Sequence, residues 1–136
     1  DQVAEGQIAL LPRGDLARKI LPEELRAKGV RTVEIDVYDT ELSVPRDIWL
    51  PEMLENGEIH TVTFTSSSTV VNLLEALRRL GVEDPQRALA RSEIACIGPV
   101  TAKTAEEHGL KVSIMPDDYT IEGLVQALIE RGKKGE

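Results

Sequence analysis

The sequence has little cysteine, histidine or aromatic residue, and each shortage excludes a class of site. The single cysteine, Cys96, excludes an internal disulfide and a cysteine-rich zinc site. With two histidines, His60 and His108, a metal site built from histidine is a poor candidate. Few rings are available on which a base or a flavin could stack: Tyr38, Trp49, Phe64 and Tyr119. These shortages count against a cysteine or histidine metal site and against a stacked base or flavin.

Long apolar runs and a net positive charge are also missing. No apolar run approaches the length of a membrane span, and no signal-peptide pattern opens the sequence. The chain has 16 Lys and Arg residues against 24 Asp and Glu residues, a formal net charge of −8 that repels a phosphate backbone. We expect a cytoplasmic protein that binds neither nucleic acid nor a membrane.

The remaining composition is that of a single folded domain over residues 1–136. Hydrophobic residues make up 41% of the 136 residues and charged residues 29%, as in ordinary globular proteins. A chain of this size buries roughly 68–70% of the surface that it exposes when unfolded. That burial supports a core without help from a metal or a disulfide.

Short apolar segments alternate with longer segments of helical spacing. Strand patterns occupy 8–11, 32–38, 61–65, 94–97 and 112–114, and helical patterns occupy 15–28, 45–56, 69–80, 84–90, 101–108 and 120–130. This rhythm predicts an α/β fold in which helices cover both faces of a parallel sheet. The second and fifth strands alternate with polar residues, as edge strands do. The pattern predicts a flavodoxin-like three-layer sandwich with five parallel strands in the order 2-1-3-4-5.

Four loops at the carboxyl ends of the predicted strands are candidates for ligand binding: 12–15, 66–69, 98–101 and 117–120. In an open parallel sheet such loops lead into helix N-termini, whose free N–H groups favour an anion. The last three loops contain Ser or Thr hydroxyls, and Arg13, Arg18 and Lys103 add positive charge near them. Ser and Thr are also ordinary helix caps, so plain capping is the alternative for each loop. Cys96, in contrast, lies among apolar strand residues and is expected in the core.

Several segments form a specific combination of motifs. They are LPRG at 11–14, VYDT at 37–40, VTFTSSSTV at 62–70, ACIGPVTA at 95–102 and YTIEGL at 119–124. In this order they resemble the C-terminal half of the bacterial uroporphyrinogen-III synthase family. The resemblance spans nearly the whole chain but only about half of the family's length.

The resemblance implies a role in tetrapyrrole biosynthesis. Members of this family cyclise hydroxymethylbilane, a linear tetrapyrrole rich in carboxylates, with inversion of the last ring, loss of water and no cofactor. Two flavodoxin-like lobes hold that substrate in a cleft, largely through backbone amides and hydroxyls. Carried over to this chain, the resemblance implies that Tyr38 assists departure of the hydroxyl and that Arg13 lies on the rim. It also implies that the cleft is lined by Ser66, Ser68, Val100 and Thr101.

The chain departs from the family pattern in two ways. The repeat that supplies the opposite wall of the cleft is missing, and His60 stands where the family commonly has an aspartate. We therefore expect little or no activity from the chain alone, with an anionic tetrapyrrole as its ligand. It is expected to be a monomer or a homodimer that exchanges segments and rebuilds the cleft. The alternative is an excised or engineered scaffold domain without catalytic function.

Overall fold

The structure is a computed structural model that describes residues 7–13, 20–38, 41–43 and 50–134, with side chains at 7–12, 23–35 and 50–130. Its elements, in chain order, are β1 (Ile8–Arg13), α1 (Ile20–Ala27), β2 (Arg31–Tyr38), β3 (Glu41–Ser43), α2 (Leu50–Glu55), β4 (Thr61–Phe64), α3 (Ser67–Arg79), α4 (Pro85–Leu89), β5 (Glu93–Cys96), α5 (Pro99–Glu107) and α6 (Ile121–Lys134). Among these described helices, none has the length and apolar character needed to cross a bilayer.

Four strands form a parallel sheet in the predicted order. The sheet runs β3-β2-β1-β4-β5, and β1 pairs in parallel with both β2 and β4, while β4 pairs in parallel with β5. These four strands correspond to the first four predicted ones. The α/β prediction and the parallel arrangement of these strands are therefore confirmed.

The predicted fifth parallel strand is not confirmed. Segment 112–114 joins β5 through a single parallel bridge between Ala95 and Ile114. The ladder ends there because the next donor on this side would be Pro116, which has no N–H. The sheet instead gains the short strand β3, which pairs antiparallel with β2. β2 was expected at the edge, but β3 covers its outer side.

The core consists of two layers, one on each face of the sheet. Alternate residues of β1 point to opposite faces, since side chains in a strand have a period of two. Leu10 joins a buried cluster with residues of α2, α3, α4 and α5, whereas Ala9 and Leu11 join a second cluster with residues of α1 and α6. Helices therefore cover both faces, as the sequence predicted.

The described helix ends follow the signals in the sequence. Asp84 caps α4, and its Oδ1 accepts the N–H of Arg87 at 3.2 Å. Gly81 follows α3 with a φ of 98°, a left-handed conformation that ends the helix. Pro22 lies within α1 as described, two residues after Ile20. The predicted helical residues before Ile20 and Leu50 lie outside the described ranges.

Candidate functional site

Three helix N-termini meet at the carboxyl edge of the sheet. Ser67 of α3 donates from Oγ to the carbonyl oxygen of Val100 in α5 at 3.5 Å. A Cβ placed on Gly98, the residue before α5, would lie 3.5 Å from Cβ and Cγ of Tyr119, just before α6. These contacts bring together the predicted loops 66–69, 98–101 and 117–120. We call these three loops the carboxyl rim.

The hydroxyl of Ser66 is used for capping. Ser66 has extended backbone angles, and its Oγ accepts the N–H of Thr69 at 3.3 Å. The same Oγ lies 2.6 Å from the hydroxyl of Thr69 and 3.4 Å from that of Ser68. Ser68 is exposed. The capping interpretation therefore holds for Ser66, while Ser68 is accessible to a ligand.

The N-terminus of α5 has no side-chain cap. Gly98 occupies the cap position and supplies no side chain, and Pro99 follows as the first helical residue. The side chain of Val100 is 75% exposed on the rim, whereas Thr101 is only 6% exposed. Within the described part of the chain, the Thr101 hydroxyl has no hydrogen-bond partner, although a buried hydroxyl usually has one. This helix start therefore offers backbone N–H groups and a buried hydroxyl to a ligand.

The N-terminus of α6, in contrast, has a side-chain cap. Thr120 Oγ1 accepts the N–H of Gly123 at 3.0 Å and donates to Oδ2 of Asp118 at 3.0 Å. The N–H of Thr120 also donates to the carbonyl oxygen of Asp118 at 2.7 Å. The negative charge of Asp118 already complements the positive end of the helix. Of these two helix starts, that of α5 is therefore the better candidate for an added anion.

Arg13 and Tyr38 end neighbouring parallel strands at the same edge. Arg13 is the last residue of β1 and lies opposite Asp36, and Tyr38 is the last residue of β2 and lies opposite Glu41. Their side chains, and all of Arg18, lie outside the described residues. Lys103 is exposed in the first turns of α5, and it has no ion pair within the described part of the chain. Lys103 lies at the middle of this nine-residue helix.

Two features of the rim were not evident from the sequence: the contact that Ser67 makes from within the predicted loop 66–69, and the role of Gly123. Ser67 ties α3 to α5, and Gly123 lets the chain fold back, because a Cβ there would lie 2.1 Å from the carbonyl oxygen of Asp118. The sequence did contain a signal for the role of Gly123. Glycine weakens a helix, so a glycine in the first turn of a helix with good apolar spacing suggests a close contact there.

The remaining reactive side chains have structural roles. Burial, with a smaller effect from the charge of Glu106, raises the pKa of the Cys96 thiol to about 12. The thiol is therefore neutral at physiological pH and is not a nucleophile. His60 Nδ1 accepts the N–H of Ile8 at 2.9 Å, which ties the start of β4 to β1. Among the described residues, no three His, Cys, Asp or Glu side chains are grouped to hold a metal ion.

Replacing Ser66 by alanine tests the capping role. We expect the free energy of unfolding to fall by about 1 kcal/mol, because the N–H of Thr69 loses its acceptor. Urea denaturation followed by circular dichroism measures this change. Ser68→Ala is the matched control and is expected to change the free energy by less than about 0.5 kcal/mol, because Ser68 is exposed. Equal losses in both variants would contradict the capping role.

Comparison with known proteins identifies the family of this chain. A family model described as uroporphyrinogen-III synthase HemD matches residues 1–126. The chain belongs to this family. A Methanothermobacter thermautotrophicus protein assigned to uroporphyrinogen-III synthase is 35% identical over 128 residues, covering 91% of this chain. The uroporphyrinogen-III synthase of Chlorobaculum parvum is 31% identical over 127 residues, covering 93% of this chain. The resemblance found in the sequence is confirmed.

The chain spans about half the length of the relatives that it matches. The alignments cover 49% of both the Methanothermobacter and the Chlorobaculum proteins. The wild-type uroporphyrinogen-III synthase of Thermus thermophilus has a similar fold, with a TM-score of 0.51 at 22% identity. That similarity covers 96% of this chain and 51% of the Thermus chain. The described fold is therefore similar to about half of a uroporphyrinogen-III synthase.

Proposed function

We propose that this chain forms one flavodoxin-like lobe of a uroporphyrinogen-III synthase and binds hydroxymethylbilane along the carboxyl rim. With a second lobe, it would close the macrocycle with inversion of the last ring and loss of water. One structural observation carries this proposal: three helix N-termini meet at one edge of the sheet, and that of α5 has no side-chain cap. Membership of the family supplies the substrate.

The start of α5 suits a carboxylate-rich ligand. The N–H groups of Val100 and Thr101 lie at the positive end of the helix, where an anion is stabilised by both hydrogen bonds and the helix dipole. Lys103 contributes a full positive charge on the same helix. These attractions act at contact distance, whereas the net charge of −8 is screened over about 8–10 Å in physiological salt. An anionic tetrapyrrole is therefore compatible with an acidic protein.

The individual roles are those that the family resemblance implies, and the described positions of the residues are compatible with them. The buried hydroxyl of Thr101 donates to a substrate carboxylate, and the exposed Ser68 supplies a second hydroxyl on the rim. Arg13, at the end of β1, pairs with another carboxylate. Tyr38, at the end of β2, donates a proton to the leaving hydroxyl, so that this group departs as water. Val100 forms an apolar contact on the same wall.

A lone lobe is expected to bind the substrate but to catalyse its cyclisation poorly. The rim is open, since Val100 and Tyr119 are 75% and 56% exposed. Cyclisation requires the two ends of the tetrapyrrole to be held in a reactive orientation, and such orientation supplies much of the rate enhancement. The second wall would come from another copy of this chain or from further sequence. The reaction fits a reducing cytoplasm, where the free thiol of Cys96 persists.

Substitution of Thr101 tests the binding site. Uroporphyrin III, the coloured oxidised form of the product, serves as the probe, and amide NMR follows its binding. We expect the amide signals of Val100 and Thr101 to shift. The Thr101→Val variant should bind the probe at least about tenfold more weakly than the unaltered chain, because a hydrogen bond to a charged group is lost. Thr104→Val is the matched control on the same helix, since the Thr104 hydroxyl donates to the carbonyl oxygen of Val100 at 3.3 Å. Absence of probe binding to the rim would refute the proposal and favour the scaffold alternative.

Turnover is measured separately from binding. Hydroxymethylbilane closes spontaneously to the type I isomer, so formation of the type III isomer reports catalysis. Light scattering on the same samples gives the oligomeric state. We expect type I product from monomer and type III product only where a second lobe is present. Rapid type III formation by a monomer would contradict the need for a second wall.

A further inference from the structure

Tyr119 places an aromatic ring on the carboxyl rim, beside the start of α5. A Cβ built on Gly98 would lie 3.5 Å from Cβ and Cγ of Tyr119 and 3.8 Å from its Cδ1, which are ordinary van der Waals distances. The base of the ring therefore lies close to Gly98, the residue before α5. The side chain is nevertheless 56% exposed. More than half of the side chain is therefore accessible to a ligand on the rim.

The backbone on both sides of Tyr119 is held tightly. Thr120 is bound to Asp118 through both its N–H and its hydroxyl, and the hydroxyl also accepts the N–H of Gly123. The carbonyl of Asp118 packs so closely on α6 that any side chain at Gly123 would collide with it. The backbone that carries the ring is thus held in place before a ligand binds, which reduces the entropy cost of ordering this segment.

The outer part of the ring is available to a ligand. Within the described part of the chain, the Tyr119 hydroxyl makes no hydrogen bond. Val100, two residues after Gly98 on the same rim, is 75% exposed and offers a second apolar surface to a ligand. A pyrrole ring is a flat apolar group, and the carboxylate arms of one bound there would lie near the N–H groups of α5.

We propose that Tyr119 is a ligand-contacting residue of the carboxyl rim, where its ring stacks on a pyrrole ring of the bound tetrapyrrole. This inference rests on the proposed function, since it assumes a tetrapyrrole on the rim. The aromatic surface supplies the contact, and the hydroxyl contributes less. Thr120 and Gly123 act as positioning residues, because they hold the ring in place without touching the ligand.

The inference is tested by titrating uroporphyrin III into the chain and three variants, with affinity from absorbance and the binding site from amide NMR. Tyr119→Leu keeps an apolar side chain but removes the ring, and we expect about tenfold weaker binding. Tyr119→Phe keeps the ring, and we expect its affinity within about twofold of the unaltered chain. Leu80→Ala removes an exposed apolar side chain at the end of α3 and is expected to leave the affinity unchanged.

The outcomes separate the two proposals. If the probe shifts the amides of Val100 and Thr101 and Tyr119→Leu binds as tightly as the unaltered chain, the role of Tyr119 is refuted while the proposed function stands. If Tyr119→Phe is weakened as much as Tyr119→Leu, the hydroxyl makes the contact and the stacking arrangement is refuted. If the unaltered chain binds no probe, both proposals fail. Circular dichroism of each variant checks that the fold is intact.

Discussion

Replacing Phe64 by alanine lowers the free energy of unfolding by about 3–5 kcal/mol, the largest loss that we expect from a single substitution in this chain. Phe64 is the last residue of β4, and its side chain is 0% exposed within the larger of the two core clusters. Truncation removes the apolar contacts of the ring and leaves a cavity that the surrounding strands and helices cannot close. Such a loss is a large fraction of the stability of an ordinary domain.

The effect reaches the carboxyl rim because Phe64 lies directly below it. The carbonyl oxygen of Phe64 accepts the N–H of Ile97 at 3.1 Å, which joins the ends of β4 and β5 just before their loops. Guanidinium denaturation measures the stability, and amide NMR of residues 65–69 reports the rim. Phe64→Leu is the matched control. Its free energy of unfolding is expected to fall less than that of Phe64→Ala, because leucine fills more of the space that the phenylalanine ring occupies. Equal stability of Phe64→Ala and the unaltered chain would contradict the described core.

Replacing Gly123 by alanine has the second largest expected effect, a loss of about 1–3 kcal/mol or more. The added Cβ would lie 2.1 Å from the carbonyl oxygen of Asp118, and 3.2 Å from its Cβ. The obstacle is backbone, so rotation of a side chain cannot relieve it. The loop before α6 must move away from the helix. The hydrogen bond from the N–H of Gly123 to Oγ1 of Thr120 must then lengthen or break.

Gly98→Ala is the control for this substitution. Gly98 has a φ of −164°, an extended conformation open to any residue, and its added Cβ would make only ordinary contacts with Tyr119. We expect its free energy of unfolding to stay within about 0.5 kcal/mol of the unaltered chain. Chemical denaturation compares the two variants, and amide shifts at 117–120 show whether the loop has moved. If Gly123→Ala and Gly98→Ala lowered the free energy of unfolding equally, the carbonyl oxygen of Asp118 would not lie close to Gly123.

Gly123→Ala also tests the positioning of Tyr119. If the loop moves, the ring leaves the start of α5, and affinity for uroporphyrin III falls toward that of Tyr119→Leu. A variant that has a displaced loop but unchanged affinity would show that the ring position does not matter for binding.

Most of the elements were predictable because their signals are local. The alternation around β2, the Asp84-Pro85 cap of α4 and the stop at Gly81 each depend on a few neighbouring residues. β3 was missed because three residues are too few for a periodic pattern, and their pairing depends on β2. The segment around Ile114 has a strand pattern, but Pro116 limits it to one bridge.

The candidate site was predicted in composition but not in detail. The three hydroxyl-bearing loops were expected to lie at one edge, and they do. The sequence did not distinguish Ser66, whose hydroxyl caps α3, from Thr101, whose buried hydroxyl has no partner among the described residues. Such a distinction depends on distances between side chains, which sequence spacing does not provide.

The sequence alone establishes the family, the four parallel strands and the positions of most helix ends, because periodicity, caps and family motifs are read from residues close together in the chain. Only the tertiary structure shows that α5 starts without a cap beside Tyr119 and that Gly123 accommodates the carbonyl of Asp118. It also shows which strand covers the edge of β2. These features depend on contacts between segments far apart in sequence or on backbone approaches of a few ångströms, and packing of the whole domain decides them.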